Sequence, residues 1–147
     1  MRPKKSSKRL RLEESFQNSE FSFQMAVSTF EDLQVWQRGC QQAVEICQTV
    51  QDWKNYSLKD QLQRSAISVP SNIAEGHERD SPGDFVRFLR IAKGSNGEMR
   101  TQLYIAQKLN LLAADVAKGF VAESKEIAAM LQGLIRSVQS RSAKSEN

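Results

Sequence analysis

Histidine occurs once in this chain, as His77, and cysteine twice. Neither Cys40 nor Cys47 stands at metal-ligand spacing from His77. No helix carries the Glu-x-x-His pair that di-iron bundles use to aim a carboxylate and an imidazole inward. A phosphate-cradling Gly-Lys-Ser/Thr loop is missing. Gly94-Ser95-Asn96-Gly97 sits inside a helical pattern, not after a strand, so it is not a dinucleotide turn. No nucleophile has a base at recognisable spacing. These absences point away from an enzyme and leave no cofactor or metal to expect. His77 reads as a capping or surface residue, and Glu75 and Glu98 as salt-bridge or interface carboxylates. Cys40 and Cys47, seven residues apart on one predicted helix, would lie about 10.5 Å apart, too far for a disulfide. They read as reduced core residues of a cytosolic protein. No apolar run approaches the ~20 residues of a membrane span. The basic N-terminus is not followed by an apolar signal core, because Phe21–Val27 is short and holds Gln24. Three prolines and seven glycines in 147 residues, with 39% hydrophobic content, exclude a fibrous or wholly disordered chain and suit one domain.

The net charge of +4 is unevenly placed: residues 1–11 hold six bases and no acid, whereas Phe30 onward holds 15 bases and 14 acids. The pI near 9.2 therefore reflects the tail more than the folded part. Residues 1–28 read as a flexible basic arm. Lys4, Lys5, Lys8, Arg9 and Arg11 are either a solvated tail or contacts for nucleic-acid phosphates. A third reading is that the arm extends a folded part beginning at Met25.

Four helical patterns follow, over 29–140, with a polar tail at 141–147. The first, about Glu31 to Gln51, carries Leu33, Trp36, Cys40, Ala43, Cys47 and Val50 at bundle spacing, with Val44 beside them. Thr29 is its expected cap; Trp53 and Tyr56 should fold over the bundle end. Ser57, with Asp60 at the capping-box position, opens the second. That helix runs to about Gly76, with Pro70 inside its apolar stripe of Leu58, Leu62, Val69 and Ile73. A proline in a helix interior costs roughly 3 kcal/mol, so neighbours must compensate. A polar stripe of Ser65, Ser68, Asn72 and Glu75 runs alongside.

Ser81-Pro82-Gly83-Asp84 is a strong helix start. The third helix, to about Leu112, has a core stripe of Phe85, Phe88, Leu89, Ala92, Met99, Leu103 and Ala106. Gly94 and Gly97 inside it suggest the close approach of another backbone. Ile91, Ile105 and Leu109 form a surplus apolar strip, which suggests an oligomer interface together with Asn72, Glu75 and Glu98. Arg87, Arg90, Lys93, Arg100 and Lys108, with Tyr104 among them, form a basic strip. This is either a solvated face laced with helix salt bridges or a phosphate-contacting surface with Tyr104 available to stack on a base. The fourth helix, Val116 to Ser140 behind Asp115, carries Val116, Phe120, Ile127, Leu131, Leu134 and Val138, with Glu123 expected to pair with a base. Short connections make an antiparallel up-down-up-down four-helix bundle.

Three ordered blocks resemble a bacterial family. They are Phe30-Glu-Asp-Leu-Gln-Val-Trp-Gln37, Ser68-Val-Pro-Ser-Asn-Ile-Ala-Glu-Gly76, and Phe85-Val-Arg-Phe-Leu-Arg-Ile-Ala-Lys-Gly-Ser95 followed by Glu98 and Thr101-Gln-Leu103. The family comprises small, ribosomal-protein-like four-helix bundles encoded in intervening sequences of large-subunit ribosomal RNA genes. It is similar in turn to accessory variability proteins of diversity-generating retroelements, which form a basic pentameric barrel and partner a reverse transcriptase and its RNA. The resemblance, over roughly Phe30 to Leu134, implies a non-enzymatic homopentamer with RNA or DNA contact and no catalytic residues. The long basic arm departs from the usual family start near Met25. A protein–protein adaptor without a nucleic-acid role is the alternative reading.

Overall fold

The computed structural model describes residues 29–147. A 3₁₀ turn at Phe30–Asp32 leads into four helices: α1 Gln34–Val50, α2 Tyr56–His77, α3 Pro82–Lys108 and α4 Ala114–Ser145. They pack consecutively as an up-down bundle. Each helix touches its sequence neighbours, and α1 closes more lightly on α4. The arm residues Lys4, Lys5, Lys8, Arg9 and Arg11 lie outside the described residues.

Helix ends follow local chemistry, with some departures from expectation. Thr29 precedes only the 3₁₀ turn and makes no side-chain cap bond, its hydroxyl donating instead to Asp32 Oδ2 at 3.2 Å. Asn55, not Ser57, caps α2: its Oδ1 accepts from the Leu58 N–H at 3.1 Å. Tyr56 is therefore helical and exposed, and only Trp53 packs over the bundle end. Ser81 caps α3 as expected, accepting from the Asp84 N–H at 3.0 Å. That helix stops at Lys108, short of Leu112, because Asn110 turns left-handed at φ 57°. The Asn110 and Leu111 N–H groups then donate back to the Gln107 and Ala106 carbonyls, both at 3.0 Å. Ala113, not Asp115, precedes α4, which continues to Ser145 past the expected stop at Ser140.

The core has two apolar lobes. One gathers Ala43, Ile46, Val50, Leu62, Met99, Leu103, Ala117 and Val121 near the α1–α2 and α3–α4 connections. The other gathers Val35, Val69, Ile73, Leu89, Ala92, Ile127, Leu131 and Ile135. Between them Asn96 and Ser124, both at 0% exposure, close a reciprocal pair. Asn96 Nδ2 donates to the Ser124 carbonyl at 2.8 Å, and Ser124 Oγ donates to Asn96 Oδ1 at 3.0 Å. Gln42 of α1 is also buried and donates to the Phe120 carbonyl, one turn from Ser124, at 2.9 Å. Among the described residues no buried side-chain nitrogen or oxygen is left without a partner, as a low-dielectric interior requires.

On α1 the buried line is Val35, Gly39, Gln42, Ala43, Ile46 and Val50, one position round from the expected stripe. Cys40 and Cys47 are only half-buried, and burial raises both thiol pKa values. Val44 is exposed. Pro70 is accommodated within a continuous α2 and lies against Gly39 of α1. The Ser71 hydroxyl donates to the Ile67 carbonyl at 2.8 Å and Asn72 Nδ2 to the Ser68 carbonyl at 2.8 Å. Both bonds fall on the two carbonyls that follow that of Ala66, which loses its N–H partner at Pro70.

The α2–α3 contact is the tightest. A Cβ added at Gly76 would lie 2.5 Å from Phe88 Cβ and 3.3 Å from the Phe85 carbonyl oxygen. Gly94 and Gly97, where a close approach was expected, have no neighbour within 4 Å. Gly76→Ala should lower stability by ~1–3 kcal/mol through overpacking, less what alanine's helix preference returns. Gly94→Ala, in open space, should raise it by up to ~1 kcal/mol. Urea unfolding midpoints check both signs, and equal effects at the two sites would contradict the packing.

Candidate nucleic-acid interface

Charge separates by helix. Within α1 and α2 acids and bases are equal in number, whereas α3 holds five bases against two acids and α4 five against three. The surplus therefore belongs to the α3–α4 pair.

Position on α3 is set by contacts on both sides. Toward α2, the Ser65 hydroxyl donates to Gln102 Oε1 at 2.7 Å, and Ser68 and Ser95 are hydrogen-bonded through their hydroxyls at 2.9 Å. Toward α4, Lys93 Nζ donates to Gln132 Oε1 at 2.7 Å. Arg90, Lys93, Arg100, Tyr104 and Lys108 recur at helical spacing along this α4-facing outer edge. Apart from the Lys93–Gln132 bond, these side chains make no hydrogen bond, ion pair or ring contact within the described residues. The helix salt bridges expected for Arg90 and Arg100 do not form. Tyr104 is 46% exposed.

Arg87 departs from the strip. Its Nε lies 3.7 Å from Asp84 Oδ1, and its guanidinium sits 4.6 Å from the Phe88 ring centroid, across which Arg79 also packs at 5.1 Å. The strip residues Arg90 to Lys108 span about 27 Å at 1.5 Å per residue.

The residues expected at an oligomer interface do not act as one group inside the chain. Ile91, Ile105 and Leu109 are exposed, with Glu98, on the outward ridge of α3. Asn72 donates to Ser68 on its own helix. Glu75 pairs with Arg79 at 3.4 Å, and Glu98 accepts from Gln102 at 3.4 Å. The two carboxylates therefore face separate partners. Glu123 pairs with a base as expected: Arg38 of α1 reaches Glu123 Oε1 with two nitrogens at 2.7 Å.

His77 is not a free surface residue. Its ring packs edge-on between Phe30 and Phe85, at 6.4 and 5.5 Å between centroids. It borders a cleft of about 650 Å³ at this end of the bundle, floored by Leu33, Phe85, Leu134 and Val138. Ser81, also at the cleft, is already engaged as the α3 cap. Among the described residues no helix is long and apolar enough to cross a membrane, and no three His, Cys, Asp or Glu side chains are grouped to hold a metal ion.

What reading α3 alone missed is its neighbour. Lys118, Lys125 and Arg136 are exposed on α4. The signal was their seven- and eleven-residue spacing from Lys125, meaningful only once the partner helix is known.

Comparison with known proteins agrees with this architecture. No curated protein matches the chain. Among solved structures, a protein of unknown function from the S23 ribosomal protein family of Bacteroides thetaiotaomicron superposes with a TM-score of 0.65. The two share 25% identity, covering 69% of this chain and 97% of that one. The model of the 23S rRNA-intervening sequence protein family matches residues 31–133. With that match spanning most of α1 to α4, the chain belongs to the 23S rRNA-intervening sequence protein family.

Proposed function

We propose that this protein is a non-enzymatic bacterial scaffold, assembled from several copies, that holds nucleic acid against the α3 face. In its finer form the assembly is a homopentameric ring that serves a reverse transcriptase and its RNA. The observation that carries the reading is the run of Arg90, Lys93, Arg100 and Lys108 without a single acid partner among the described residues. Four unneutralised cations on one edge repel one another, and a polyanion relieves that repulsion by releasing its counterions. Repeating the strip on each copy turns weak sites into avid binding through effective concentration. The basic arm of residues 1–11 adds charge of the same sign.

Replacing Arg90, Lys93, Arg100 and Lys108 together by glutamine should reduce RNA affinity. It should also flatten the slope of log K against log salt by about 3, at roughly 0.7 per phosphate on a single strand. Fluorescence anisotropy across a salt series measures both. Unchanged affinity in this variant and in a protein shortened to Met25 would remove the proposal.

A second reading, a protein–protein adaptor, is favoured by one observation: Ile91, Ile105 and Leu109 stand 41, 45 and 54% exposed on the outward ridge. If that ridge joins copies, Ile105→Asp should dissociate the assembly in native mass spectrometry while the circular dichroism of the helices persists. An assembly of unchanged mass would rule out this interface.

A further inference from the structure

We infer that the nucleic-acid site is a two-walled groove between α3 and α4, shaped for a single strand rather than a duplex. This rests on the reading of the α3 strip given above and adds its second wall and its ligand class.

The second wall follows from helix register. The Lys93–Gln132 hydrogen bond joins the outer edges of the antiparallel helices α3 and α4, while the Asn96–Ser124 pair ties them together in the core. Two helical turns are close to seven residues, so a step of seven keeps a residue on the same face of its helix. One such step down α3 from Lys93 reaches Arg100, and the matching step back along α4 from Gln132 reaches Lys125. Another step reaches Gln107 on α3, beside Lys108, and Lys118 on α4. In the other direction Arg90 comes level with Arg136. Three exposed bases of α4 thus face the α3 strip across one interhelical groove. Packed helices lie about 8–10 Å apart.

Acids are kept off this groove. On α3 the groove positions 90, 93, 97, 100, 104 and 108 hold none, and on α4 neither do 118, 122, 125, 129, 132 and 136. Glu123 is turned to the opposite side of α4, where Arg38 holds it. Glu146 borders a shallow cavity with Arg90 at the far end, and Asp115 and Glu126 are exposed on α4 outside these positions. Lys118, Lys125 and Arg136 have no ion-pair partner among the described residues. Gly97, in the middle of the α3 edge, has open space where a side chain would stand, so the groove floor is low there.

Tyr104 decides the ligand class. Its ring is half-exposed on the α3 row between Arg100 and Lys108, with no ring–ring contact, no cation–π contact and no hydrogen bond among the described residues. In a duplex the bases are stacked on one another and offer a surface tyrosine no face. In a single strand an unpaired base can lie on the ring while phosphates on either side meet the two basic rows. The 27 Å strip accommodates about eight nucleotides at 3.4 Å per step, and fewer if the strand is extended.

The test uses the full chain, a labelled oligouridylate of ~12 nucleotides, an RNA duplex of the same length and the matching oligothymidylate. Anisotropy is read between ~50 and ~200 mM salt. The single strand should bind about tenfold or more tightly than the duplex. The triple variant Lys118→Gln, Lys125→Gln, Arg136→Gln should flatten the single-strand salt slope by about 2. Tyr104→Ala should lose about 5- to 150-fold, with Tyr104→Phe retaining affinity because stacking needs only the ring. Equal binding of the RNA and DNA strands would place recognition on phosphates and base faces, and a preference for RNA would add a 2′-hydroxyl contact; either fits the groove. A triple variant with an unchanged slope, beside an α3 quadruple variant that no longer binds, would leave a one-walled site and overturn this inference alone. A duplex bound as tightly as the strand, with Tyr104→Ala neutral, would overturn the ligand class. No loss of affinity in the α3 quadruple variant and in the protein shortened to Met25 would overturn the function on which the inference rests.

Discussion

The rotation of α3 about its own axis is the constraint from which the surface of this protein follows. Three polar side chains hold it. Asn96 is locked to Ser124 of α4, Gln102 receives the Ser65 hydroxyl of α2, and Ser95 meets Ser68. A shift of one residue in the packing face turns the helix by about 100°. It would orphan the Asn96 amide and the Ser124 hydroxyl in the core, at roughly 1–3 kcal/mol for each group left unpaired. Apolar packing alone tolerates such slips better, because leucine and isoleucine are interchangeable in direction. The polar layer between the two apolar lobes therefore specifies one arrangement.

Once α3 is held, its three remaining faces are assigned. Ser95 and Gln102 point to α2, the bases and Tyr104 lie along α4, and Ile91, Ile105 and Leu109 stand outward. The ion pairs the protein does form are elsewhere: Arg38–Glu123, Arg64–Asp60, Arg79–Glu75 and Arg87–Asp84. Exposed pairs of this kind contribute about 0–1 kcal/mol. Their weight here lies in occupying those arginines, so that unneutralised positive charge is concentrated on one groove. Alongside it, α2 approaches α3 closely at Gly76 and meets it through Ser65 and Ser68 of its polar stripe.

Several parts of this arrangement were legible in the chain. The helix count, the bundle topology, the Ser81 cap and the apolar stripe of α3 follow from periodicity and capping chemistry, which act between residues close in sequence. The basic strip was legible for the same reason, since Arg90, Lys93, Arg100 and Lys108 share one helix. The α1 stripe was misassigned because its true buried line contains Gly39 and Gln42. Hydrophobicity passes over both, yet Gly39 is buried against Pro70 and Gln42 finds the Phe120 carbonyl. Asn96 and Ser124 were invisible as core residues, because each is buried only by virtue of the other.

The division between the two levels has a physical basis. From the residue order alone came four amphipathic helices, their approximate ends, the lack of metal and nucleophile motifs, and a surplus of positive charge on the third helix. These depend on side-chain spacing along a single helix. Only the tertiary structure decided that Gly76 and not Gly94 is the point of close approach. It also turned Arg87 aside onto Phe88, enclosed His77 between two phenylalanines, and set Lys118, Lys125 and Arg136 opposite the α3 strip. Each of these is a relation between helices, set by antiparallel register and by hydrogen bonds across the core, and no periodicity within one segment encodes it.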